Sequence, residues 1–131
     1  MSARIQINSN RAAPALGSYS QGLKWNNLFF TTVVPFGMDG EIVGGTIEEQ
    51  TRQTMQNLKY LLEDAGTDFD HVLRVTAYVF EPGRNLSGFI KTYEEYFPKG
   101  DYPARSSHEA ALFVHDGRQC LIEMEVIAGI G

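Results

Sequence analysis

Two amphipathic helical patterns, separated by short β-favouring segments, constrain the fold of this sequence more than any other feature. Over residues 47–62, apolar side chains recur every three or four residues, and Thr46 and Glu49 have the spacing of a helix capping box. A second pattern of the same period covers residues 85–97 and stops at Pro98. Each helix must bury its apolar stripe against another layer, so the two patterns predict helices packed on a sheet.

About six segments have the composition of β-strands, and they lie before, between and after the two helices. The pairs Asn26-Asn27 and Asp116-Gly117 predict tight turns within two hairpins. The order of elements is β, β-hairpin, α, β, α, β, β, which predicts a two-layer α+β domain with helices on one sheet face. The predicted strands cover residues 4–7, 23–25, 28–34, 72–80, 106–114 and 120–128.

Alternation along a strand predicts which face of the sheet each side chain occupies. In the fourth segment it places Val72 on the same face as Arg74, and Leu73 on the same face as Val75. In the last segment it directs Ile122 and its alternate neighbours to the helices, and Glu123 and Glu125 to the other face, between large aliphatic residues. Such a mixed face is more typical of a subunit interface than of open solvent, so we expect an oligomer.

Length and composition exclude several classes of protein. With 131 residues, the chain is expected to form one domain over residues 1–131. Its net charge of −5 opposes the basic surface of a nucleic-acid-binding protein. The lone Cys120 excludes an intrachain disulfide, and His71, His108 and His115 are not spaced as metal ligands. No apolar run is long enough to span a membrane and no secretory signal is visible. Together with the cysteine and histidine pattern, this predicts a metal-free cytoplasmic protein.

Two charged residues, Arg105 and Glu123, lie in sequence contexts where they could bind a substrate or take part in catalysis. Pro103 favours an extended chain and presents Arg105 at the start of a strand, where its guanidinium could bind a carboxylate or form a surface salt bridge. Glu123 stands within an apolar strand, where burial would raise its pKa and a nearby arginine would lower it. It is either a catalytic carboxylate or part of a solvated strand face.

Three segments together resemble the Rid family of enamine/imine deaminases, also called the YjgF/YER057c/UK114 family. They are APALGSYSQ at residues 13–21, YPARS at residues 102–106 and IEME at residues 122–125. The resemblance extends over essentially the whole chain. It implies a chorismate-mutase-like α+β fold of the bacillus type, with a six-stranded mixed sheet and two helices on one face. It also implies a homotrimer with ligand clefts between subunits.

The resemblance further implies roles for particular residues. Arg105 matches the arginine that holds the substrate carboxylate, and Glu123 matches the acid that positions or activates water. Tyr19 matches the tyrosine that lines the cleft, and Thr32 and Ser107 match further substrate-binding positions. The implied reaction hydrolyses 2-iminobutanoate or 2-iminopropanoate to a 2-oxo acid and ammonia, with no metal or organic cofactor. No nucleic acid or membrane partner is expected.

The sequence departs from the family pattern at several positions of the expected cleft. Ser18 replaces a common proline, Thr-Thr-Val at residues 31–33 replaces Ser-Gly-Gln, Ser107 replaces cysteine and His108 replaces an apolar residue. These changes leave two alternatives to the simple deaminase. One is a non-catalytic regulatory trimer that binds a small carboxylate, and the other is a catabolic deaminase of a larger unsaturated amino acid. The ribonuclease activity attached to this family is disfavoured by the negative charge.

Overall fold

Eight strands and two α-helices follow one another along residues 3–131, the part of the chain that the computed structural model describes. A short 3₁₀ helix, Phe69–His71, precedes the fourth strand. The helices are α1 (Ile47–Ala65) and α2 (Pro82–Glu94). The strands are β1 (Arg4–Ile7), β2 (Gly22–Trp25), β3 (Leu28–Val33), β4 (Val72–Val79), β5 (Ala104–Glu109), β6 (Val114–His115), β7 (Arg118–Gln119) and β8 (Ile122–Gly129).

Six of the strands form one mixed sheet in the order β1-β2-β3-β8-β4-β5. Every neighbouring pair is antiparallel except β4 and β5, which run parallel because α2 forms the crossover between them. The remaining strands, β6 and β7, pair with each other as a separate hairpin. The predicted α+β fold with a six-stranded mixed sheet is therefore confirmed.

Helix α1 begins with the predicted capping box. The Thr46 hydroxyl accepts a hydrogen bond from the Glu49 amide (3.2 Å), and a Glu49 carboxylate oxygen accepts one from the Thr46 amide (3.1 Å). The helix ends at Gly66, whose φ of 84° lies in the left-handed region that favours glycine. Met55, Leu58 and Leu62 on its apolar stripe are completely or almost completely buried.

Helix α2 begins and ends earlier than its apolar periodicity predicts. It starts at Pro82, because proline fits the first helical turn, where its missing N–H costs no hydrogen bond. It ends at Glu94, before Pro98 is reached. At Gly88 the two helices approach so closely that a Cβ would lie 2.6 Å from Ile47 Cγ2, so a larger residue would force the side chains of α1 to shift.

The structure corrects two of the predicted strands. In β4, a register shift between Val72 and Arg74 turns Val72 toward the core and leaves Leu73 exposed, which reverses the predicted faces of these two residues. The predicted strand over residues 106–114 instead runs from Ala104 to Glu109, because its partner β4 ends opposite Glu109. The chain then leaves the sheet and forms the hairpin β6–β7.

The helices cover one face of the sheet and leave the other open. Ile122, Met124 and Val126 of β8 are buried on the helix side, as predicted, while Glu123 and Glu125 lie on the open side. The open side also exposes apolar side chains such as Phe30 and Leu73. Within residues 3–131, no helix has both the length and the apolar character needed to cross a membrane.

We predict that Thr46→Ala lowers the free energy of unfolding by about 1 kcal/mol, because the variant loses the side-chain acceptor of the capping box. Urea denaturation followed by circular dichroism measures the change. Ser87→Ala, an exposed substitution within α2, is the control and should change stability by a few tenths of a kcal/mol. Equal effects of the two variants would contradict a stabilising cap.

Candidate functional site

Three of the predicted site residues, Tyr19, Thr32 and Glu123, line one cavity of about 620 Å³. Glu123 lies on the open side of β8, and Thr32 lies on β3, the strand beside it. Tyr19 comes from the loop between β1 and β2. The sheet and one loop therefore bring together residues that are far apart in the sequence.

The early loop holds Tyr19 in a defined position at the cavity. The Tyr19 amide donates to the Gly17 carbonyl (2.8 Å), and the Tyr19 hydroxyl accepts a hydrogen bond from the Leu16 amide (3.1 Å). Because the hydroxyl oxygen accepts this bond, its own proton is available for a ligand oxygen. The ring is half exposed, so a ligand can reach it.

Buried amide side chains fix the walls of the cavity. Asn57 donates to the carbonyls of Val34 (3.0 Å) and Phe36 (2.8 Å) and accepts from the Ala13 amide (3.1 Å). Gln21 similarly binds the backbone of Ser9 through both its amide oxygen (2.8 Å) and its amide nitrogen (3.1 Å). These bonds join the early loop to the end of β3 and to α1.

Partial burial raises the pKa of the Glu123 carboxyl, and the negative charge of Glu125 raises it further. Glu123 is half-buried, whereas Glu125 is exposed and accepts a hydrogen bond from the Tyr78 hydroxyl (2.6 Å). A carboxylate with a raised pKa accepts a proton more readily than an ordinary glutamate does. Glu123 is thus a candidate for general acid–base chemistry in this cavity.

Arg105 and Ser107 do not line this cavity. They lie on β5, the edge strand, opposite Val75 and Ala77, whose side chains are buried on the helix side of the sheet. At the usual spacing of strands, β5 is about 10 Å from β8 and about 14 Å from β3. Within one chain, Arg105 therefore occupies the opposite face of the sheet from Glu123.

Aromatic rings of α2 support the Arg105 guanidinium at this edge. Its central carbon lies 5.3 Å from the ring centre of Tyr93 and 5.8 Å from that of Phe89, and its Nη1 donates to the Ser107 hydroxyl. Burial raises the pKa of Tyr93 to about 12, although the nearby Arg105 charge acts to lower it. The neutral ring thus forms a fixed support beneath an exposed cation.

A second, more open cavity of about 820 Å³ follows the uncovered side of the sheet. Tyr19 and Thr32 line both cavities, and Arg74, Thr76 and Glu125 line the second. His108, which replaces an apolar family residue, contacts the Ser106 hydroxyl (3.1 Å) and the Tyr78 ring rather than the cavity of Glu123.

The hairpin β6–β7 contributes residues that the sequence did not identify as part of the site. Phe113 and His115 line the cavity of Glu123 together with Phe36. The Phe36 ring centre lies 5.7 Å from that of Phe113 and 5.2 Å from that of His115. The sequence predicted the turn at Asp116-Gly117, but it placed Phe113 in the strand over residues 106–114 and gave no sign that Phe113 and His115 line a cavity.

His115 also belongs to a cluster of possible metal ligands, which the sequence spacing did not predict. Among the described residues, Glu41, His115 and Asp116 have donor atoms within 4.8 Å of one another. His115 Nε2 lies 3.3 Å from a Glu41 carboxylate oxygen, and a hydrogen bond with Asp116 raises the pKa of Glu41. His115 already interacts with both carboxylates, and Glu41 and Asp116 are exposed.

The protein is a two-layer α+β domain with a cavity lined by Tyr19, Thr32 and Glu123. Comparisons with known proteins identify its family. A structure described as a conserved Rid family protein, YyfA from Yersinia pestis, superposes with a TM-score of 0.88 at 34% identity, over 98% of this chain and 100% of that chain. Residues 10–130 match the family described as endoribonuclease L-PSP. The chain therefore belongs to the Rid family, which the sequence motifs had predicted.

Relatives of known name cover nearly the whole chain. A RutC family protein of Pyrococcus abyssi is 37% identical, over 96% of this chain and 97% of its own length. A protein of Rattus norvegicus named 2-iminobutanoate/2-iminopropanoate deaminase is 30% identical, over 95% of this chain and 89% of its own length. The family thus includes proteins named as deaminases and proteins named only by family.

We predict that Asn57→Asp lowers the free energy of unfolding by about 2 kcal/mol. The carboxylate cannot donate to the carbonyls of Val34 and Phe36, which would leave buried polar groups unsatisfied. Chemical denaturation measures the loss, and Asn10→Asp, the same substitution at an exposed position, is the control. A loss as small as that of Asn10→Asp would show that the Asn57 amide does not hold the cavity walls.

Proposed function

We propose that the protein is an enamine/imine deaminase that converts 2-imino acids, such as 2-iminopropanoate and 2-iminobutanoate, to 2-oxo acids and ammonia. The observation that carries the proposal is that the candidate residues lie in two separate places on the chain. Tyr19, Thr32 and Glu123 line a cavity, while Arg105 stands exposed and supported at the sheet edge. The Rid family membership and the deaminase name of the rat relative support the same reaction.

The proposed active site combines residues of two copies of the chain. Arg105 of one subunit binds the substrate carboxylate, and Tyr19, Thr32 and Glu123 of its neighbour surround the reacting carbon, with Ser107 beside the arginine. The uncovered side of the sheet, with its exposed Phe30 and Leu73, supplies apolar surface for assembly. We propose a homotrimer, each subunit a single domain over residues 1–131, located in the cytoplasm.

The proposed reaction needs orientation, one water and proton transfer. Arg105 fixes the carboxylate through charge-assisted hydrogen bonds, so that the imine carbon is held next to Glu123. The Glu123 carboxylate takes a proton as water adds to the carbon of the protonated imine, the C=N electron pair moves to nitrogen, and a carbinolamine forms. The protonated Glu123 then donates to that nitrogen, and the C–N bond breaks as the hydroxyl oxygen forms the carbonyl and returns its proton to Glu123. Ammonia and the 2-oxo acid are the products.

The imine carbon is already electrophilic, so the proposed reaction needs no metal or organic cofactor. Ribonuclease activity, which the family description names, would need contacts to phosphates. A net charge of −5 disfavours such contacts, whereas a carboxylate substrate needs only one well-placed cation such as Arg105.

The decisive experiment generates 2-iminopropanoate in the assay with an amino-acid oxidase and follows imine loss by trapping with semicarbazide. We expect the protein to accelerate the loss, and Arg105→Ala to lower kcat/KM by at least about 100-fold through the lost charge-assisted hydrogen bonds. Arg52→Ala, which removes an exposed ion pair with Glu95, is the control. Tight binding of 2-oxo acids without turnover would instead favour a regulatory protein.

Shared sites are tested by mixing two inactive variants. Arg105→Ala and Glu123→Gln should each be inactive when alone, because every site then lacks one group. Subunits mixed at random in equal amounts should regain about one quarter of the wild-type activity, since that fraction of interfaces pairs an intact Arg105 with an intact Glu123. Assembled mixtures that stay inactive would show that one chain supplies both residues.

The raised pKa of Glu123 predicts the acid side of the pH profile. Because Glu123 must be deprotonated to accept a proton, kcat/KM should fall as pH drops through its raised pKa. Glu125→Gln removes a negative charge that raises this pKa, so the fall should move to lower pH. Glu94→Gln, an exposed change on α2, should leave the profile in place. An unshifted profile in Glu125→Gln would contradict the charge interaction.

A further inference from the structure

The cavity of Glu123 has a chemically mixed lining. Polar side chains, among them Tyr19, Thr32, Asn57 and Glu123, line part of it, and most of the remaining lining is apolar or aromatic. The apolar wall is formed mainly by Pro14, Leu16, Val34, Phe36, Leu61 and Phe113. A reacting carbon held near Glu123 therefore has an apolar chamber beside it.

Three aromatic rings form one part of this wall: Phe113 and His115 at the hairpin, and Phe36 from the segment after β3. Phe36 is buried, and its ring makes tilted contacts with Phe113 and His115. Tilted ring contacts at such separations are favourable, and an added aromatic ring can extend the same packing. Phe113 keeps 40% of its surface exposed, so its ring still has a face for a ligand.

Hydrogen bonds and the turn of the hairpin fix the backbone that carries Phe113 and His115. The Phe113 carbonyl accepts hydrogen bonds from the Cys120 amide (3.0 Å) and the Gln119 side chain (3.2 Å). Asp116 and Gly117 have positive φ values of 49° and 76°, which produce the tight turn of the hairpin. A preformed wall loses little conformational entropy on binding, so its apolar contacts contribute fully to affinity.

The size and charge of the cavity disfavour very small and acidic side chains. A volume of about 620 Å³ is in the range that binds drug-sized molecules, and the methyl group of 2-iminopropanoate would leave most of it unfilled. Glu41 and Asp116 stand beside His115 at the hairpin, and they disfavour a substrate with an acidic side chain.

We infer that the enzyme acts on 2-imino acids with a large apolar, above all aromatic, side chain, which packs against Phe36, Phe113 and His115. This inference rests on the proposed deaminase function and names the substrate class of the same site. It makes Phe113 a specificity-determining residue supplied by the hairpin β6–β7.

The test uses one oxidase, a D-amino-acid oxidase, to generate the imines of D-phenylalanine and D-alanine. We expect kcat/KM to be at least about tenfold higher for the phenyl imine. Phe113→Ala should lower this ratio by about tenfold or more, and Phe113→Leu, which keeps apolar bulk, by less. Val114→Ala is the matched control, because Val114 is exposed on the same hairpin and does not line the cavity.

A second measurement separates the inference from the proposed reaction. Calorimetry compares the binding of phenylpyruvate and pyruvate, the two products, to the wild-type protein and to Phe113→Ala. If phenylpyruvate binds more tightly, Phe113→Ala removes the difference and no imine is hydrolysed, the side-chain site stands and the deaminase proposal is wrong. If both imines are hydrolysed with equal kcat/KM and Phe113→Ala leaves their ratio unchanged, the deaminase stands and the aromatic preference is wrong.

Discussion

The burial of one sheet face under two helices is the interaction on which the rest of the structure depends. Alternate residues of β8 pack into that core, so their neighbours Glu123 and Glu125 must occupy the opposite side. The same rule directs Arg105 to the helix side of the edge strand, where the rings of α2 support it. A single chain thereby separates its candidate carboxylate from its candidate cation, and this separation favours a site that two subunits complete.

Much of the fold could be predicted from the sequence because periodicity reports burial directly. The capping box of α1, the turn at Asn26 and the two faces of β8 all follow from local pattern, and all agree with the structure. The bulge in β4 could not be predicted, because it depends on the register with β8 rather than on the residues of β4 alone. The early end of β5 has a similar origin, since a strand ends where its partner ends.

The candidate site was less accessible to sequence reasoning than the fold. Arg105 and Glu123 were identified from their local context and from the family resemblance, whereas Tyr19, Thr32 and Ser107 were identified from the resemblance alone. Of these residues, Tyr19, Thr32 and Glu123 share a cavity. The aromatic wall was missed because Phe113 and His115 were interpreted as part of a continuous strand and as an isolated histidine. Buried amides such as Asn57 were missed for a related reason, since an asparagine on a helix reveals its backbone partners only after the chain has folded.

Among the described residues, β6 and β7 pair only with each other and form no ladder with the six-stranded sheet. A change in the length or composition of this hairpin would therefore leave the ladders of the sheet intact. A chain built in this way can keep one reaction centre and exchange the surface that selects among substrates. Diversity within such a family would then accumulate in a short peripheral segment, while the sheet that positions the reacting groups stays constant.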